Sequence, residues 1–86
     1  MNVPSLMRER LAVLAPTLIE IQDDSAAHAG HAGARDGGHY RLRIVAATFA
    51  GKSKVMRHRL VYDALVDLMR NGIHALSIQA ETPNEM

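Results

Sequence analysis

The run Tyr40-Arg41-Leu42-Arg43-Ile44-Val45 alternates apolar and cationic side chains. A strand sends successive side chains to opposite faces, so this segment needs a sheet with one covered face and one open face. Leu18-Ile19-Glu20-Ile21-Gln22-Asp23 partly repeats the pattern, with Ile19 and Ile21 on one side and Glu20 and Gln22 on the other; the two strands are expected to pair antiparallel. A third strand is read over residues 73–80, where His74, Leu76, Ile78 and Ala80 share one parity and Ala75, Ser77 and Gln79 the other. By that parity the His74 ring belongs at the rim of the apolar layer.

Helices cover such a sheet. In residues 4–14 Met7, Leu11 and Leu14 recur at helical spacing, with Leu6 and Val13 widening the stripe and Arg8, Glu9 and Arg10 opposite; Pro16 cannot continue the helix. After a turn at Phe49-Ala50-Gly51-Lys52, Ser53 caps a long helix whose inner side is Leu60, Val61, Ala64, Leu65, Leu68 and Met69, and Asn71-Gly72 stops it. Residues 24–39 turn to Ser, Ala, Gly and His and read as a long loop, and residues 81–86 read as a frayed tail. The order predicts a two-layer α+β architecture, one domain over residues 1–86 with helices on one face of a three-stranded sheet. A chain of 86 residues has room for a single core.

Composition narrows the chemistry. There is no cysteine, which removes disulfides, thiol nucleophiles and any iron–sulfur cluster held by this chain's own sulfurs. Aromatic residues are 3%, too few for a platform that stacks single-stranded bases. Apolar runs are short and the first residues lack a basic segment followed by an apolar one, so the expectation is a cytoplasmic protein with no membrane contact. No phosphate-binding GxxxxGK loop and no Ser–His–Asp elbow is present, and the neighbours Asp23 and Asp24 face opposite sides of a strand, so the chain is not expected to be an enzyme. The net charge is +1, yet residues 41–59 carry six basic side chains and no acidic one.

Five histidines exceed what packing asks of so small a chain. His28, His31 and His39 lie in or at the edge of the long loop. The spacing His28-Ala29-Gly30-His31 permits two imidazoles on one metal, short of the four donors zinc takes, so solvated loop histidines are the plainer reading. His74 at a strand start either hydrogen-bonds a carbonyl or is held ready for a ligand. His58, between Arg57 and Arg59, reads as a structural contact or as part of a cationic face. Lys52, Lys54, Arg57 and Arg59 suit contacts to phosphates without base reading, although a solvated charged face is the commoner use of such a run.

The string Phe49-Ala50-Gly51-Lys52-Ser53, then Arg57-His58-Arg59-Leu60-Val61-Tyr62 with Leu65, then Ile73-His74-Ala75-Leu76, closely resembles the BolA family. Pro16, the Asp24-Ser25 pair, His28 and His39-Tyr40 fit the same pattern, so the resemblance covers nearly the whole chain. It implies a class II KH-like αββααβ fold, a three-stranded mixed sheet with helices on one face, in which the Phe49 turn supplies a short extra helix. Two departures are local. Ala46 stands where the family usually has serine, and Gly51-Lys52-Ser53-Lys54 lacks the second glycine with which KH domains clamp a nucleic-acid backbone.

The resemblance also implies a partner, a monothiol glutaredoxin, with which such chains share a bridged two-iron, two-sulfur (2Fe-2S) cluster. Glutaredoxin and its glutathione bring thiolates and the BolA-like chain brings imidazole. The HAL position is His74 and the loop position is most naturally His28, with His31 and His39 as alternatives because the loop ends Asp36-Gly37-Gly38-His39 in shortened form. The isolated chain is expected to carry no cofactor. Neutral imidazole in place of thiolate raises a cluster's potential, as in Rieske centres, and binds only when deprotonated, which suits a cluster that is handed on. The implied function is an accessory role in iron–sulfur cluster assembly, trafficking or iron sensing, with the surface of Lys52, Lys54, Arg57, His58 and Arg59 docking the partner. The alternative is a DNA-binding regulator of stress response and morphology using that same basic face. A third reading is a docking module whose histidines bind zinc or nothing.

Overall fold

The structure is a computed structural model that describes residues 2–25 and 37–86. Helix α1 (Val3–Leu11) opens the chain, its first turn capped by Asn2, whose Oδ1 accepts the Ser5 amide at 3.1 Å. A 3-10 turn, Ala12–Leu14, extends it, and Ala15 then enters the left-handed region (φ 51°), with its N–H on Ala12 O. Pro16 follows, so the stop is where the sequence places it. Met7, Leu11 and Leu14 are buried; Val13, expected to widen that stripe, is instead 76% exposed, since at helical spacing it points roughly 120° away from the line of those three.

Strands β1 (Leu18–Asp23) and β2 (Gly37–Val45) pair antiparallel, and β3 (Gly72–Glu81) pairs parallel with β2, which makes a mixed sheet of order β1-β2-β3. The predicted alternation of β2 is observed: Tyr40, Leu42 and Ile44 are buried while Arg41 and Arg43 face the open side. β2 begins two residues earlier than the predicted loop ends. His39 is therefore a strand residue, paired with Ala75 of β3 and accepting the Asp24 amide on its other side, not a loop residue.

Between β2 and β3 the chain makes a 3-10 turn, Ala47–Phe49, then α2 (Lys54–Ala64) and α3 (Val66–Arg70). Ser53 caps α2, its Oγ accepting the Met56 amide at 3.2 Å. The single long helix expected from the sequence is broken at Leu65, which sits at φ −102°, ψ 14° outside the helical well. The break supplies the second consecutive helix of αββααβ, a role the sequence assigned to the Phe49 turn. Its physical reason is packing: Val61, Leu65 and Leu68 all reach the core, and the bend lets α3 turn back toward the start of β3.

One apolar cluster joins the layers, with Phe49, Met7, Leu11, Ile44, Leu65 and Val61 fully inside. The tail is docked rather than frayed. Pro83–Glu85 forms a 3-10 turn with a Thr82/Glu85 capping box, and Glu85 makes a two-pronged pair with Arg57 at 2.6 and 3.1 Å.

Candidate functional site

The His74 side chain lies where the strand parity does not put it. Gly38 pairs with Ile73 but His39 pairs with Ala75, so His74 is an extra residue, a bulge, in β3. Ile73 and Leu76 both point toward the helices, and the two residues between them, His74 and Ala75, are both exposed. The bulge thus moves His74 from the apolar rim to accessible surface. There its ring meets that of His39, with centroids 5.1 Å apart and planes tilted by 43°.

The backbone beneath the pair explains why this happens here. Gly37 has φ +144°, a conformation side chains rarely adopt, and a Cβ on it would fall 2.9 Å from the His74 amide nitrogen. Its partner in the register, Gly72, has φ 139°. Glycine opposite glycine lets the two strands approach closely just before the bulge. On the other flank the β1 end holds His39: its carbonyl accepts the Asp24 amide at 2.7 Å and its amide donates to Ser25 Oγ at 3.1 Å. Asp23 in turn accepts the Ser25 amide, and its carboxyl is held below the usual range by the Ser25 hydroxyl and then that amide.

Around the histidines the open face is a charged lattice. Arg41 pairs with Asp24 at 2.6 Å and Gln22 donates to the same carboxylate. Arg43 bridges Glu20 on β1 and Glu81 on β3 at 3.0 and 2.9 Å, and its hydrogen bonds, Glu81 first, hold the guanidinium firmly protonated. A shallow depression of about 340 Å³ opens beside His39, bordered by Asp24, Arg41 and Ser77. Tyr40, on the buried side, has its phenol pushed up mainly by burial, and then by Asp23.

The ring spacing bears on metal chemistry. A ring nitrogen about 2.0–2.1 Å from a tetrahedral ion puts each ring centre roughly 3 Å from it, so two rings on one ion stand about 5 Å apart. The His39–His74 separation meets that measure. Among the described residues no group of three or more His, Cys, Asp or Glu can hold a metal ion, so the two rings do not make a metal site by themselves. His28 and His31 lie outside the described residues.

The basic run does not act as one surface. Arg57 is turned inward: Nε donates to Lys52 O, Nη1 to Ala80 O and both terminal nitrogens to Glu85, leaving its side chain 13% exposed. Arg57, read from the sequence as one of the binding cations, thus spends its donors within the fold. Lys52 is exposed but donates to Thr48 O at 2.8 Å. Lys54 and Arg59 are exposed, and His58 is half-buried beside Val55 and Tyr62.

The order αββααβ around a three-stranded mixed sheet is that of a class II KH-like α+β domain of the BolA type. The family model described as BolA-like protein matches residues 11–85, and the chain belongs to the BolA family. It is 51% identical over 93% of its length to SufE-like protein 1, chloroplastic/mitochondrial, and 45% identical over 98% to Protein BOLA1, chloroplastic, both of Arabidopsis thaliana. The chain spans 24% and 56% of those two relatives. The solved BolA domain of SufE1 from Arabidopsis thaliana superposes with a TM-score of 0.86 at 47% identity, covering 100% of this chain and 98% of that one. No helix among the described residues is long and apolar enough to cross a membrane.

Proposed function

We propose that this chain is a non-catalytic accessory protein in iron–sulfur cluster assembly, trafficking or iron sensing. In this reading it pairs with a monothiol glutaredoxin and offers imidazole to a shared 2Fe-2S cluster whose thiolates come from glutaredoxin and glutathione. The supporting observation is the bulge that lifts His74 out of the apolar layer and sets its ring 5.1 Å from His39. An apolar layer gains nothing from such a displacement, whereas an incoming ligand needs an accessible nitrogen on a rigid element.

The chemistry of the chain agrees with this division of labour. With no cysteine it can join a cluster only through nitrogen or carboxylate. The SufE-like name of one relative points the same way. His74 is the ligand held by β3, and His39 is the described histidine within reach of it; His28 is the loop ligand that the family resemblance favours.

The test mixes the chain with cluster-loaded monothiol glutaredoxin and records visible absorption and circular dichroism. His74→Ala is expected to abolish the spectral change produced by the unsubstituted chain while leaving the fold intact, because the side chain is exposed. Single alanine substitutions of His28, His31 and His39 then identify the second ligand. An unchanged spectrum with His74→Ala would refute the reading. The alternative of a DNA-binding regulator would rest on Lys52, Lys54 and Arg59, since Arg57 is engaged within the fold.

A further inference from the structure

The helix layer carries a second surface, away from the histidine pair, that overlaps the basic run read from the sequence as docking a partner. On α2, Val55 is 68% exposed, Met56 42% and Tyr62 39%. Val55, His58, Arg59 and Tyr62 stand at positions i, i+3, i+4 and i+7, which bring them onto one helix face, and they border a depression of about 340 Å³. The inner side of the same helix is already satisfied by Val61 in the core. α2 is therefore apolar on both sides, and its outward side has no partner in this chain.

Charge adds a direction. Arg59 borders the depression, Lys54 precedes Val55 in the chain, and neither makes an ion pair with any described residue. Lys54 lies in the first turn of α2, where a cation is unfavourable for the helix itself, and no acidic residue occupies that turn. Exposed apolar area and uncompensated positive charge thus coincide, and neither helps the isolated chain fold.

We propose that this face docks an acidic protein segment bearing a bulky apolar side chain, which would enter between Val55 and Tyr62 while its carboxylates meet Lys54 and Arg59. A nucleic acid fits less well. Phosphates use the cations but gain nothing from Val55, Met56 and Tyr62, and the central cation of the run, Arg57, is bound to Glu85. Exposed Tyr, Met and Arg together are what the centres of protein interfaces are made of. The surface lies on the helix layer and the histidine pair at the open side of the sheet, so the inference does not depend on cluster binding.

The experiment selects a random peptide-display library against the full chain, with counter-selection against a Val55→Ser/Arg59→Glu variant. Circular dichroism checks that every variant is folded. Enriched peptides are expected to be net acidic with a large apolar residue, and to lose about tenfold or more in affinity on Val55→Ser and on Arg59→Glu separately. Absence of enrichment over the counter-selected variant, or enrichment of neutral or basic peptides, overturns the proposal. So does a mixed-sequence duplex oligonucleotide that binds this face and is weakened by Arg59→Glu but not by Val55→Ser, which would assign it to nucleic acid.

Discussion

Ala15 closes the first helix in the left-handed region, where a Cβ crowds the carbonyl and glycine sits without penalty. Ala15→Gly is expected to raise stability by about 0.5–1 kcal/mol, the relief of strain exceeding the added freedom of the unfolded chain, as read from urea denaturation midpoints. Phe49 is the largest fully buried side chain, and its replacement by alanine should cost about 3–5 kcal/mol in the same assay. Its place in the core was not legible in the sequence, which showed only a turn. By contrast Ser53 as a cap, and Leu65 and Leu68 as core residues, were legible, because caps and helical stripes depend on near neighbours in the chain. At His74 the residue type pointed to ligand chemistry while its position in the alternation pointed to the wrong face.

At the scale of elements, the approach of β2 to β3 decides where the histidines stand. Gly37→Ala would bring a Cβ to 2.9 Å from the His74 amide nitrogen in a conformation reserved for glycine. The start of β3 must then move, at a cost on the order of 1–3 kcal/mol. The expected signature is loss of nuclear Overhauser contacts between the His39 and His74 rings, with those between the Ile19 and Ile44 side chains in the distal β1–β2 ladder kept. Retained ring contacts would show that the glycine is dispensable to the bulge. The helix break at Leu65 belongs to this scale too. Periodicity runs unbroken through it, because α2 and α3 bury the same stripe, and so the sequence shows one helix where there are two.

For the whole molecule, the Arg57–Glu85 pair fastens the tail across the end of β3 to the first turns of α2. The Arg57 guanidinium, and then the Thr82 amide, hold the Glu85 carboxyl down at about 2 against an ordinary value of 4.5. A carboxyl depressed on folding contributes stability in full above its unfolded value and loses it as pH falls toward the folded one. The latch should accordingly hold at neutral pH and release between about 4.5 and 2, as seen in the Glu85 side-chain carbonyl resonance and in cleavage of the tail by an acid protease. Asp67, lowered chiefly by its hydrogen bond from Arg10, adds to the acid lability by tying α1 to α3. Glu85→Gln should remove the tail's own pH dependence and leave the Asp67 contribution.

Local order determined much of this protein. Alternation in β1 and β2, the stripe on α2, the stops at Pro16 and Asn71-Gly72 and the lack of sulfur follow from residues a few positions apart or from composition alone. Tertiary structure decided the rest: the bulge at His74, the meeting of His39 with it, and the capture of Arg57 by a residue 28 positions away. Each of these arises where segments distant in the chain are pressed together, and the energy that selects it is a contact between those segments, which no pattern along one of them contains.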